Sequence, residues 1–165
     1  MKNLLLLLLF SLPLFAQNGF KADDGNIVWE RSFNADSANI IAILDRNPNL
    51  KVGAFMDNLY KGVGLDIQNT CNGGTPLMKN NLKFEFVILL TPGSYVVKIR
   101  NIKILEKYGP MQAKTMANRC EKYFMAGTQV STEPNASANM ACLDRFLTSL
   151  FSPLPETSGK AITSN

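Results

Sequence analysis

Leu82-Lys83-Phe84-Glu85-Phe86-Val87-Ile88-Leu89-Leu90-Thr91-Pro92-Gly93-Ser94-Tyr95-Val96-Val97-Lys98-Ile99-Arg100 is the stretch that decides the fold. Leu82, Phe84, Phe86, Ile88 and Leu90 occupy every second position, and Tyr95, Val97 and Ile99 resume the alternation after Thr91-Pro92-Gly93-Ser94. Successive side chains of a strand point to opposite faces, so this is a β-hairpin with one apolar face. If Thr91 faces Ser94, then Leu90 faces Tyr95, Ile88 faces Val97 and Phe86 faces Ile99. The same register sets Glu85 opposite Arg100 on the other face, a favourable cross-strand pair. A slip of one residue would send the whole apolar set to solvent, so the register is strongly specified. Pro92-Gly93 suits a type II turn, while tight two-residue hairpins prefer the primed types. A four-residue loop of the same parity fits equally well.

Beyond Asn101 the apolar positions change phase to Ile102 and Ile104, which reads as a bulge there or as the end of two-sided order, with the strand ending near Glu106. Met111 to Met125 can be drawn as a helix with Met116, Cys120, Tyr123 and Phe124 on one side, followed by a polar loop from Gly127 to Pro134. Asn135 or Ser137 then caps a helix in which Met140, Leu143, Leu147, Leu150 and Phe151 fall on one face, ended by Pro153 and Pro155. Towards the N-terminus, Val52 to Asp57 and Tyr60 to Ile67 read as two short strands around an Asp57-Asn58 turn. Gly62 and Gly64 there mark a bulge or a close approach. Ile40 to Leu44 before Pro48 reads as a helix, with a strand as the alternative, and Ile27, Trp29 and Phe33 mark a half-buried strand. The fold class expected is therefore α+β: an antiparallel sheet of about five strands with helices packed on one face, in the order strand, helix, four strands, helix. Trp29, Phe84, Phe86, Ile88, Tyr95, Val97 and Ile99 would meet Leu44, Leu143, Leu147 and Leu150 in the core.

Particular residues carry a resemblance. Ile27-Val28-Trp29, Tyr60-Lys61-Gly62-Val63-Gly64, Thr75-Pro76 and Gly93-Ser94-Tyr95-Val96-Val97-Lys98-Ile99-Arg100-Asn101-Ile102, taken in order over Asn26 to Leu105, resemble small exported Bacteroidetes proteins of a family of unknown function with a TBP-like fold. The resemblance implies the same order of elements and implies no activity. Lys107 to Pro134 departs from the family's pattern.

The chain of 165 residues holds no histidine, three cysteines and a formal net charge of +4. Without histidine there is no Ser-His-Asp or Cys-His unit and no His-bearing zinc site, so no catalytic residue, metal ligand or cofactor is assigned. Met1 to Ala16, with Lys2 before Leu4 to Leu9, reads as a secretory signal peptide, which makes the product exported, periplasmic or secreted, with no membrane span after cleavage. Asn26 to Phe151 is expected to form a single α+β domain, and residues 152–165 a polar, disordered tail. Export allows a disulfide. Cys120 and Cys142 both fall on apolar-periodic segments, whereas Cys71 lies in turn-rich sequence, so Cys120 with Cys142 is the expected pair. Burial of both as free thiols is the alternative. Gly62-Val63-Gly64 lacks the rest of a phosphate-binding motif, Asp23-Asp24-Gly25-Asn26 lacks calcium-loop spacing and reads as a turn, and Asp36-Ser37-Ala38 matches a short O-glycosylation acceptor pattern that helix capping also explains.

The outward face of the hairpin carries the candidate contact residues: Lys83, Lys98, Arg100 and Lys103 as a basic set, and Val87, Leu89 and Val96 as an apolar one. Against so small a net charge, a solvated face of charge pairs is the expectation and nucleic acid is not an expected partner. The function expected is a non-enzymatic binding or structural module of the bacterial envelope, its partner another envelope protein or a small apolar ligand. The alternatives are a cysteine-dependent enzyme working without histidine, with Cys71 as nucleophile, and nucleic-acid binding through the basic sheet face.

Overall fold

Alternation forms strands, and strands need neighbours for their backbone groups. The computed structural model describes residues 19–34 and 40–153; the leader, Asp36-Ser37-Ala38 and the tail beyond Pro153 lie outside the described residues. In chain order the elements are β1 (Phe20–Asp23), β2 (Asn26–Asn34), α1 (Ile40–Asp45), β3 (Leu50–Met56), β4 (Leu59–Ile67), β5 (Asn81–Thr91), β6 (Ser94–Tyr108), β7 (Lys114–Arg119), α2 (Glu121–Phe124), β8 (Met125–Ala126), β9 (Gln129–Val130) and α3 (Pro134–Phe151). Single 3-10 turns stand at Pro76–Lys79 and Pro110–Gln112.

The main sheet has seven strands in the order β1-β2-β6-β5-β4-β3, with β7 beside the far half of β6, and every pairing is antiparallel. Register in the β5–β6 hairpin follows the alternation: Thr91 faces Ser94, Phe86 faces Ile99 and Glu85 faces Arg100. The connection is the two-residue turn Pro92-Gly93, with Gly93 at φ 73° as a type II turn requires. The phase change after Asn101 is a bulge, at which Asn101 takes φ 53° and the register shifts between Lys83 and Glu85.

Two expectations are corrected. The sheet has seven strands rather than about five, because β1 and β7 leave no apolar period in the sequence. β1 has one buried residue, Phe20, and β7 is almost wholly exposed. Both form because backbone groups on a neighbour need partners. β6 runs fifteen residues, well past the end of β2, and β7 pairs the remainder from Lys103–Arg119 to Tyr108–Lys114. The segment Met111 to Met125 is accordingly not a helix. Only the four residues of α2 are α-helical, and the rest is the 3-10 turn and β7. Phe20 also carries the packed structure ahead of Asn26.

α1, α2 and α3 all contribute to one apolar cluster on one face of the sheet, where Ile43, Leu44, Phe124, Leu143, Leu147 and Phe151 meet Trp29, Phe84, Phe86, Ile88, Val97 and Ile99. Each such side chain contributes about 1.5–3 kcal/mol on burial. Gly62 and Gly64 let that cluster close onto β4. The Phe86 and Phe84 rings lie across them, and a Cβ built on Gly62 would stand 2.3 Å from Phe86 Cζ and 2.4 Å from the Lys51 carbonyl oxygen. Gly62→Ala is therefore expected to cost about 1–3 kcal/mol by overpacking. In urea unfolding, the penalty should shrink in a Phe86→Leu background, since the two sites are in contact. Equal penalties in both backgrounds would mean that the ring is not what excludes the methyl group.

Tyr95 stacks on Phe33 at 5.0 Å and donates its hydroxyl to the Phe151 carbonyl at 2.6 Å, tying the end of α3 to β6. Burial pushes its pKa from 10.0 up to about 12. A group held neutral in this way contributes stability that is complete below pH 10 and is lost as pH rises towards 12. Between about pH 10 and pH 12, Tyr95→Phe is expected to lose stability less steeply than the wild type, whose Tyr95 term falls by up to about 1.4 kcal/mol per pH unit. At neutral pH the same variant should be about 1–2 kcal/mol weaker for the carbonyl left unpaired. Urea midpoints across that range measure both.

Candidate functional site

Side chains pointing away from the core cluster make the second face of the sheet. Two adjoining hollows lie on it. The larger, about 440 Å³, has Asp23, Asp24, Asn26, Lys98, Asn101 and Arg119 among its walls; the smaller, about 270 Å³, has Gly53, Ala54, Lys61, Val63 and Val87; Glu85 and Arg100 line both.

Each wall has a local cause. The dipeptide Asp24-Gly25 sits at φ 49° and 72°, the left-handed pair that a tight β1–β2 hairpin turn demands, and it delivers Asp23 beside Lys98 at 3.5 Å. Asn26 braces the turn by donating to the Asp24 carbonyl at 2.9 Å. The bulge turns Asn101 towards β5, where its amide donates to Glu85 Oε1 at 3.0 Å while Arg100 Nε meets Oε2 at 3.1 Å. That hydrogen bond from Asn101, with the Arg100 guanidinium, holds the Glu85 carboxyl below its ordinary pKa against the opposing effect of burial. From β7, Arg119 donates to Asn26 Oδ1 at 2.6 Å and to Glu121 Oε2 at 3.3 Å. Burial raises the Glu121 pKa, but the hydrogen bonds from Arg119 and from the Ile27 backbone N–H outweigh it, so the net shift is downward.

Of the contact residues expected from sequence, the structure brings Lys98 and Arg100 into the larger hollow and Val87 into the smaller. Leu89 and Val96 face each other near the turn, and Lys83 and Lys103 face each other at the opposite end, outside both hollows. The basic set is thus not a continuous stripe. Lys98 and Arg100 each carry an acidic partner, and three cations and three carboxylates line the larger hollow. Asp23, Asp24, Asn26, Asn101 and Arg119 are site residues that the sequence reading does not reach. They arrive through a turn, a bulge and a strand without apolar period, and of these only the turn and the bulge have a sequence sign.

The cysteine assignment is corrected. The bond joins Cys71 to Cys142, and Cys120 is a free, buried thiol. Cys71 is therefore not a free nucleophile. Burial, followed by the neighbouring Glu121 charge, pushes the Cys120 thiol far above its ordinary pKa, so it holds little of the reactive thiolate. Among the described residues no three cysteine or carboxylate side chains are grouped to hold a metal ion, and no helix is long and apolar enough to cross a membrane.

No protein-family model matches this chain, and no curated protein matches it. Among solved structures, it is similar to a TBP-like protein from Parabacteroides distasonis, at 11% identity over 78% of this chain and 92% of that one, with a TM-score of 0.48. It is also similar to a DUF4468 family protein from Bacteroides ovatus, at 13% identity over 78% of this chain and 80% of that one, with a TM-score of 0.40.

Proposed function

We propose that this chain is a non-enzymatic binding module of the bacterial envelope, exported by its leader, and that it engages a protein partner through the face of the sheet opposite its helices. The observation that carries the reading is the pair of hollows meeting at Glu85 and Arg100 on that face. A recognition surface needs polar groups held in fixed positions beside apolar area. Here Glu85 and Arg100 are fixed by each other and by Asn101, and Val63 and Val87 supply apolar wall next to them. A protein surface fits better than a small apolar ligand, because three acids and three bases line the larger hollow.

The test places a photo-crosslinking residue at Val87, and separately at Ala138 on the exposed side of α3, in intact cells of the producing bacterium. Adducts from position 87 alone, weakened by Arg100→Glu, support the reading. Equal labelling from both positions, no adduct at 87, or a product retained in the cytoplasm with its leader would overturn it.

A further inference from the structure

Beyond the pair Asn81–Leu105, β6 is paired by β7 alone among the described residues, and the two strands run on as an arm through Glu106–Met116, Lys107–Thr115 and Tyr108–Lys114. At about 3.4 Å per residue, Tyr108 stands roughly 10 Å past the last rung of β5. Every residue from Lys107 to Ala117 is exposed; Met111 in the turn is 99% exposed, Tyr108 49% and Met116 47%. The turn is built on left-handed backbone at Gly109, Met111 and Gln112, with φ 81°, 55° and 54°. A methionine held there gives the fold no apolar burial, and a left-handed φ on a residue other than glycine costs stability.

The free charge at this end of the sheet is of one sign. From Lys107 to Arg119 the chain carries Lys107, Lys114 and Arg119 and no acid. Lys103 shares a side of β6 with Lys107 and faces Lys83 across β5. Among the described residues, none of Lys83, Lys103, Lys107 and Lys114 has an ion-pair partner. The acid on the arm, Glu106, already accepts from Asn118 and from the Tyr123 hydroxyl. We infer that the arm docks this protein on an anionic bilayer surface, with Met111 and Tyr108 entering the headgroup layer and Lys107 and Lys114 meeting lipid phosphates. An apolar tip, an aromatic ring behind it and cations behind the ring reproduce the layering of a membrane interface, where tyrosine sits at headgroup level and lysine is drawn to anionic lipid. Lys107 and Lys114 stand on opposite faces of the arm, so both sides of it meet phosphates when it enters upright. Lys83 and Lys103, further back, add to the attraction at low ionic strength. The turn is also suited to a layer poor in water, since its Gln112 and Ala113 N–H groups donate to the Gly109 and Pro110 carbonyls and Pro110 has no N–H. A nucleic acid would use the lysines and leave Met111 idle. An upright arm points along the strands, so the hollows on the helix-free face stay open.

The mature chain should co-sediment with vesicles of phosphatidylcholine mixed with phosphatidylglycerol and not with phosphatidylcholine alone, and less as salt is added. Met111→Asp should weaken that binding by at least about tenfold, because it sets a charge where the apolar tip enters; aspartate tolerates left-handed backbone, so the turn keeps its shape. Lys107→Gln combined with Lys114→Gln should weaken it by about twentyfold, or roughly fivefold for each lysine. In Met111→Trp the new indole should be quenched by lipids brominated near the headgroup, whereas Trp29, fully buried, should not. All these positions are exposed, so urea midpoints should match that of the wild type. No sedimentation with anionic vesicles at low salt, binding that survives Met111→Asp, an unquenched indole at position 111, or a DNA duplex that wild type and Met111→Asp bind equally and more tightly than vesicles would overturn the assignment. Photo-crosslinking from position 87 reads the hollows separately, so the two conclusions stand or fall independently.

Discussion

Cys71→Ser is expected to lower the unfolding free energy by about 4 kcal/mol, since the bond to Cys142 closes a loop of 71 residues in the unfolded chain. The substitution isolates that cross-link better than removal of Cys142 would. Cys71 is half-buried at the rim of a loop, whereas Cys142 lies fully buried on α3. Reduction of the wild type should produce the same loss of stability without any change of side-chain volume. The loop has other ties to α3, since Thr75 N–H donates to Asn139 Oδ1 at 2.7 Å and Arg145 donates to the Asn72 carbonyl at 3.1 Å. The folded loop should therefore keep its place after the bond is cut, and the loss should appear in the urea midpoint rather than in the near-ultraviolet spectrum. Thiol titration of the denatured, unreduced protein should give one thiol in the wild type, from Cys120, and two in the variant. A loss below about 1 kcal/mol, or three thiols in the wild type, would show that the bond does not form.

That bond also marks a limit of reading sequence by periodicity. Cys120 and Cys142 look like partners because both stand on apolar segments, and Cys71 looks like the odd residue because Asn69 to Gly74 is turn-rich. The physical logic runs the other way. A turn-rich loop has few apolar side chains with which to anchor itself, so it is the segment a covalent tie can hold, while Cys120 is anchored by its own burial. Where side-chain pattern and backbone pairing coincide, as in β5, β6 and α3, the residues alone suffice, down to Glu85 facing Arg100. In β1 and β7 the two come apart. Lys114 to Arg119 is ordered by the unpaired edge of β6 and by Asn118 donating to Glu106 at 2.5 Å, and neither leaves a trace in the alternation of residues.

The candidate site divides along the same line. Parity alone assigns Lys98, Arg100 and Val87 to the uncovered face, because residues two apart on a strand share a side. It is silent on Asp23, Asn101 and Arg119, which reach the hollow from a turn, a bulge and β7. These are also the groups that neutralise or position the ones parity finds. Read from its strands alone the face is basic and open, whereas in the structure it is a set of matched charges. The face therefore offers no continuous basic stripe of the kind that holds a polyanion.

Asp144→Ala is expected to destabilise the fold by about 3–5 kcal/mol, because it removes the acceptor shared by three donors where α3 meets β2. Asp144 lies on α3 between Leu143 and Phe146, where a carboxylate breaks the apolar face and would be costly if it were unpartnered. It is not unpartnered: Oδ1 accepts from the Trp29 indole N–H at 2.7 Å and from the Gly19 backbone N–H at 2.8 Å, and Oδ2 faces Arg31 Nη2 at 3.1 Å. One side chain thereby fixes α3 to β2 and to the residue that leads into β1. Removing it strands a fully buried indole N–H, so the loss should exceed that of any single surface ion pair on the other face. Asp144→Asn keeps an acceptor for Trp29 but turns an amide donor towards Arg31, and should cost about 2 kcal/mol. Arg31→Met leaves the carboxylate its two N–H donors and should cost about 1 kcal/mol, since Arg31 is about a third exposed. The ordering of the three variants separates a hydrogen-bonded anchor from a simple charge pair, which would make Arg31→Met as harmful as Asp144→Ala. Trp29 is the only tryptophan of the chain, so its fluorescence reports this cluster alone. The emission should shift to longer wavelength in Asp144→Ala at urea concentrations where Arg31→Met still resembles the wild type, and an unshifted emission with stability within about 1 kcal/mol of wild type would show that α3 is held by its apolar face without the carboxylate.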